Sequence, residues 1–254
     1  MRRRRRLAVV AALALAPALL ATGCSAASEA GQETLTVYAA ASLAGPVSEL
    51  LSEYAAGHPE VSVEPAVFDG SSTLATQIGQ GADPDVIVTA NEATMADLTA
   101  AGLVDEPQVV ATNTLVIAVP EGNPGGVGSL TDLAGPGAVA TVLCAPQVPC
   151  GDAAATLLAL NDVEIDPLSL EQNVTAAAER VASGAAGAAL VYATDVSARE
   201  DRLDAVVPER AEAVVNRYPA ATLTTAGPAG DQFLELLSSA RGAAVLADYG
   251  FGPP

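Results

Sequence analysis

Small and hydroxyl residues gather at four places where an apolar, β-prone run gives way to a helical pattern, an arrangement suited to holding an anion. The first is Ala39-Ala40-Ala41-Ser42-Leu43, which follows Leu35-Thr36-Val37-Tyr38 and precedes Leu43, Val47, Leu50, Leu51 and Tyr54 at helical spacing. Phe68-Asp69-Gly70-Ser71-Ser72-Thr73-Leu74 repeats the transition. In the second half the loop from Cys144 to Asp152 and the triplet Asn173-Val174-Thr175 do so again, and Tyr192 closes the apolar run 188–192. A helix N-terminus carries unpaired N–H donors and about half a positive charge, so a serine there can meet an oxyanion with hydroxyl and amide together. Ser42 also reads as an ordinary helix N-cap, the commoner use of serine in that position.

Such loops do chemistry together only if a scaffold brings them to one edge. Strands are predicted at 35–39, 61–64, 85–88 and 114–119, with helices from Ser42 to the Gly57-His58-Pro59 stop, from Leu74 onward, and over 92–101. The β-α-β-α-β order predicts a parallel sheet flanked by helices. After the Gly/Pro-rich segment 121–137 the pattern restarts: a strand at 138–143, a helix carrying Leu157, Leu158 and Leu160, a helix at 176–183 stopped by Gly184, and strands at 188–192, 206–207 and 220–224. Residues 231–249 read as one helix or two joined at Arg241-Gly242. In open α/β sheets, ligands bind at the carboxyl ends of the strands, where all of these junctions fall.

Charge narrows the ligand. Arg2 to Arg6 and the apolar stretch Leu7 to Leu20 form a signal segment, 1–23, too short to span a bilayer comfortably. It ends in Ala21-Thr22-Gly23-Cys24, similar to a bacterial lipobox, which implies lipidation of Cys24 and leaves 24–33 as a polar tether. Consecutive arginines leave twin-arginine export open beside the general secretory route. The tether reaches at most about 30 Å when extended, so the folded part is expected at the extracytoplasmic face of the cell membrane. Loss of the five leading arginines leaves six arginines against 30 acidic residues, a formal charge of −24, and there is no lysine. That excludes a nucleic-acid role built on basic side chains. Any anion must be held by amides, hydroxyls and helix ends against an unfavourable long-range field.

The chain resembles the ModA-type molybdate-binding proteins of bacterial ABC importers, within the type II periplasmic binding proteins, over nearly all of 34–251. The carriers are Tyr38-Ala39-Ala40-Ala41-Ser42-Leu43, Gly70-Ser71-Ser72-Thr73-Leu74-Ala75-Thr76-Gln77-Ile78, Asp85-Val86-Ile87-Val88, Val148-Pro149-Cys150-Gly151, Leu190-Val191-Tyr192-Ala193-Thr194-Asp195 and Tyr249-Gly250-Phe251. The resemblance implies an α/β fold of two lobes, each a mostly parallel sheet flanked by helices, with the ligand cleft between them. Lobe I is expected from 34–112 and 218–254 and lobe II from 113–217, with crossovers near Thr112 and Arg217. The resemblance places the oxyanion contacts on Ser42 and Ser71 in the first lobe and on Cys150, Val174 and Tyr192 in the second. The serines would donate from hydroxyl and N–H, Cys150 and Val174 from N–H, and Tyr192 from its phenol, roughly seven donors. The expected ligand is molybdate or tungstate, delivered by a monomer to an ABC permease, with no cofactor and no direct metal-ion ligand. Asp69 departs from the family pattern and is expected to point outward, capping the helix locally. Asp195 reads either as a brace for a neighbouring loop or as a turn residue.

With Cys24 assigned to lipid, Cys144 and Cys150 remain as an expected disulfide in an exported protein, fixing the loop that presents the Cys150 amide; the alternatives are a plain staple or two free thiols. His58 is the only histidine, in a His-Pro-Glu turn, and is expected at the surface. Other readings are a receptor for another tetrahedral oxyanion such as sulfate, a sensory module, and an extracytoplasmic serine hydrolase. The last lacks a G-x-S-x-G elbow and a histidine in a usable pattern.

Overall fold

The computed structural model describes residues 32–254. The expected signal segment, Cys24 and residues 25–31 of the tether lie outside the described residues. The first expected strand is two strands. β1 (Glu33–Leu35) pairs in parallel with β3 (Val61–Val63), whereas β2 (Val37–Ala40) lies between β4 (Val67–Asp69) and β5 (Val86–Val88), parallel to both. The break falls at Thr36, whose N–H donates to the Asp85 carboxylate at 2.7 Å while its carbonyl accepts the Asp85 N–H at 2.8 Å.

The main sheet runs β4-β2-β5-β11-β6-β9-β7-β8, with β10 (Leu203–Val206) also on β6. β6 (Gln108–Pro120) and β11 (Val215–Thr222) run antiparallel to each other and join the halves of the sheet. β6 pairs with β11 through residues 108–114 and with β9 (Ala188–Tyr192) through 115–118. The apolar run predicts only 114–119 of this strand, because Gln108, Thr112 and Asn113 interrupt it; the rest is held by its ladder to β11. Thr112 and Arg217, where crossovers were expected, are register partners in that ladder. In the second half β7 (Thr141–Cys144) lies parallel to β9 and to β8 (Ser169–Glu171).

Helices cover this sheet. α1 (Ala44–Gly57) buries Val47, Leu50, Leu51 and Tyr54, the residues whose spacing announced it. α2 (Ser71–Gly79) and α3 (Glu92–Ala100) follow β4 and β5; α4 (Pro149–Leu160), α5 (Val174–Ala182) and α6 (Ala193–Ser197) follow β7, β8 and β9. α7 (Pro228–Ser238) and α8 (Ala240–Asp248) return to α1, where Arg241 reaches Glu49 at 3.1 Å and Glu53 at 2.9 Å. The break between them is at Ser239, not Arg241-Gly242. Ser239 is extended and its hydroxyl accepts the Gly242 N–H at 3.2 Å, an N-cap that restarts the helix. His58 is half-buried rather than free at the surface: its ring stacks on Tyr54 with centroids 4.1 Å apart.

Candidate functional site

Every sequence-derived contact residue lies at the carboxyl end of a strand. Ser42 sits in a 3-10 turn, Ala41–Leu43, between β2 and α1. Ser71 opens α2 after β4, Cys150 is the second residue of α4 after β7, Val174 opens α5 after β8, and Tyr192 ends β9. All five line one cavity, together with Ala40, Ala41, Asp69, Gly70, Ala90, Pro149 and Asn173. It leaves about 20 Å³ for the centres of oxygen-sized atoms. A single water needs ~10–15 Å³ on that measure, so the space suits one compact ion and not a sugar or peptide.

The donors are prepared by position. The first N–H groups of α2, α4 and α5 have no intrahelical acceptor, and the N-terminal ends of those helices supply partial positive charge. Pro149 at the first position of α4 has the φ a helix start requires and no N–H of its own to satisfy. Cys150 is joined to Cys144 by a disulfide, so its side chain is occupied and its amide is what it can offer. Gly151 follows because a side chain there would collide with the Ala145 carbonyl, where the loop folds back on the helix.

Ser42 is not an N-cap. Ala40 precedes the 3-10 turn and Leu43 precedes α1, neither with a side-chain cap, and the Ser42 hydroxyl instead lies 3.1 Å from the Tyr218 hydroxyl. The Ser71 hydroxyl accepts the buried Ala90 N–H at 2.9 Å, leaving its own hydrogen to donate. The Tyr192 hydroxyl accepts from Asn216 Nδ2 at 2.9 Å and keeps its hydrogen free in the same way. Asn216 also donates to the Ala90 carbonyl at 2.8 Å, so one amide aligns both the tyrosine and the segment behind Ser71.

Asn216 and Tyr218 stand behind the cavity on β11, two residues apart and so on one face of the strand. Sequence reading missed both; their signal was a buried-strand pattern carrying asparagine and tyrosine at alternate positions. Tyr218 is packed edge-on against Tyr192 and Phe251, with centroids 6.0 and 5.3 Å away. Burial raises the pKa of both phenols well above the ordinary tyrosine value, so both stay protonated at any physiological pH.

Asp69 does not point outward and does not cap α2. Its Oδ1 accepts the Gly70 N–H at 2.7 Å and Asn173 Nδ2 at 2.8 Å. Asn173, in turn, caps α5 by accepting the Ala176 N–H at 2.8 Å. Asp195 is fully buried and accepts the Tyr192 N–H at 3.2 Å, so it braces the turn that carries the tyrosine. Burial raises its pKa to about 7 against the opposing pull of Arg199 and that N–H. None of the six arginines lines the cavity. Among the described residues no cluster of three or more histidine, cysteine or acidic side chains is placed to hold a metal ion.

The two halves of the sheet, joined through β6 and β11 with a small cavity between their strand ends, define a two-lobed solute receptor of the type II periplasmic binding class. The chain belongs to the bacterial extracellular solute-binding protein family, whose pattern matches residues 35–252. A molybdate-binding protein ModA of Mycobacterium tuberculosis (strain H37Rv) is 38% identical to it over 227 residues, 88% of this chain and 86% of the relative. Among solved structures, the periplasmic molybdate-binding protein of Azotobacter vinelandii superposes with a TM-score of 0.68 at 19% identity, covering 87% of this chain and 99% of the other. The sulfate-binding protein SubI of Mycobacterium tuberculosis superposes with a TM-score of 0.72 at 18% identity, covering 87% of each. At such identities the superpositions establish the fold; that two different oxyanions appear in their names leaves the choice of anion to the site.

Proposed function

We propose that this protein captures molybdate, and tungstate with it, at the extracytoplasmic face of the membrane and hands it to an ABC permease. The observation that carries the reading is the cage itself: Ser42, Ser71, Cys150, Val174 and Tyr192 converge on one cavity whose lining includes no cation. In this reading the serines donate from hydroxyl and N–H, Cys150 and Val174 from N–H, and Tyr192 from its phenol. At about 1.5–3 kcal/mol for each charge-assisted bond, roughly seven such donors give a gross term of 10–20 kcal/mol before desolvation and closure are subtracted. Micromolar to nanomolar binding, about −8 to −12 kcal/mol, then needs no positive side chain.

Molybdate at neutral pH has acceptors only, which suits donors on every side, whereas a protonated phosphate asks for an acceptor. Lobe I is taken as 34–112 with 218–254 and lobe II as 113–217, closing by a hinge as receptors of this class do. Cys24 is taken as the lipid attachment site of a monomer. A binding role is favoured over hydrolysis because the Ser42 and Ser71 hydroxyls are engaged by a phenol and a backbone N–H, not by a base. Calorimetry with molybdate, tungstate, sulfate and phosphate tests the proposal. Strong heats for the first two and weaker ones for sulfate are expected; equal heats for molybdate and sulfate, or none for molybdate, would remove the assignment.

A further inference from the structure

Asp69 ends β4 at one lip of the cavity, and Asn173 caps α5 at the other. The Asn173 side chain serves two partners at once, Oδ1 accepting the Ala176 N–H and Nδ2 donating to Asp69 Oδ1, each at 2.8 Å. The same carboxylate oxygen takes the Gly70 N–H at 2.7 Å. Beside this bond the Ser72 hydroxyl donates to the Gln147 carbonyl at 2.7 Å, and Gly70 lies so close to the Gln172 carbonyl that no side chain fits between them. Hydrogen bonds and a glycine-only approach therefore stitch the β4–α2 junction to the α4 and α5 junctions.

We propose that the Asp69–Asn173 hydrogen bond is a latch across the cleft: a positioning pair that holds the lobes shut over the bound oxyanion and slows its release. The inference rests on the receptor reading above. Ser71 and Val174 are the next residues along the chain from Gly70 and Asn173, so the latch fixes the separation of two helix N-termini that face the anion. A carboxylate beside an anion site is unfavourable through space. What offsets it is geometric: the carboxylate is a strong acceptor for two donors, one on each side of the cleft, which a small residue could not be.

Substitutions separate charge from latch. Asp69→Asn removes the charge and keeps an acceptor oxygen for both donors; Asp69→Ala removes both. Asn173→Ser keeps an N-cap acceptor for α5 while removing the donor to Asp69. Stopped-flow displacement of molybdate should show dissociation faster by about tenfold or more in D69A and N173S, the loss of one charge-assisted bond, with D69N within about threefold of wild type. Dissociation unchanged in D69A and N173S, or as fast in D69N as in D69A, overturns the latch.

A second arm needs no anion. Spin labels on the exposed positions Gln80 and Glu200 report the distance between lobes by pulsed electron resonance. A short-distance population present in the wild type without anion and depleted in D69A and N173S is expected. Identical distributions in all proteins, or no short-distance population in any sample, overturn the latch. Failure of the wild type to bind any oxyanion refutes the receptor reading instead, and the anion-free distances then judge the latch alone.

Discussion

Tyr192→Phe is the perturbation for which the structure supplies the most complete forecast. The ring is 1% exposed and packs edge-on against Tyr218, and phenylalanine preserves both features. What is lost is one hydroxyl that accepts from Asn216 and is free to donate into the cavity. The lost donation to a dianion is charge-assisted, about 1.5–3 kcal/mol, or a rise of about 10- to 150-fold in Kd. Asn216 keeps its bond to the Ala90 carbonyl but leaves one N–H hydrogen without a partner. That orphan exists in free and bound protein alike, so it cancels in the affinity and appears only as lost stability, about 1–3 kcal/mol. In a protein of this size each kcal/mol lowers Tm by roughly 2–4 °C. Calorimetry with molybdate should therefore give the weaker Kd, and a thermal scan without ligand the lower Tm. Because burial keeps the phenol protonated, the affinity ratio of wild type to variant should be flat between about pH 6 and pH 9. An unchanged Kd with a lowered Tm would place the hydroxyl in the fold and outside the anion site.

Other perturbations probe different parts of the molecule. Ser71→Ala orphans the buried Ala90 N–H, so it should cost about 1–3 kcal/mol of stability by urea midpoint, and under the proposed function it should weaken molybdate binding as well. Asp195, with its folded pKa raised to about 7, binds its proton more tightly in the native than in the unfolded chain; the stability it contributes is full below about pH 4 and is lost as pH rises through 7. Asp195→Asn should flatten that part of the profile, measured as urea midpoints at pH 4.5 and 7.5 in parallel with the wild type; identical slopes would contradict it. The Cys144–Cys150 disulfide closes a short loop, and replacing both cysteines by serine should lower stability by about 2 kcal/mol. Since the described part of the protein is strongly acidic and no lysine or arginine lines the cavity, added salt should speed anion association by screening repulsion, the opposite of a lysine- or arginine-lined receptor.

The sheet, the helices and the junctions at Ser42, Ser71, Cys150, Val174 and Tyr192 were readable because periodicity and strand-end position are local properties of a chain. Family resemblance then assigned those residues to a ligand. Residues acting through partners far along the chain were not readable. Tyr218 meets Ser42 across 176 positions, Asn216 meets Ala90 across 126, and Asp69 meets Asn173 across 104. Local rules made Ser42 a cap and Asp69 an outward-facing residue. Both assignments fail because each side chain meets a partner far along the chain, Tyr218 for Ser42 and, beside the adjacent Gly70 N–H, Asn173 for Asp69. The first part of β6 was hidden for a related reason: its polar residues are tolerated by a ladder to β11 that only the tertiary structure supplies.

In the proposed function one tetrahedral dianion sits among neutral donors from both lobes. A crystal grown with molybdate and measured at the molybdenum absorption edge locates the metal directly. A single anomalous peak is expected in the cavity bounded by Ser42, Ser71, Cys150, Val174 and Tyr192, with no arginine against it. A peak at an arginine elsewhere on the surface, or an empty cavity at saturating molybdate, would contradict it.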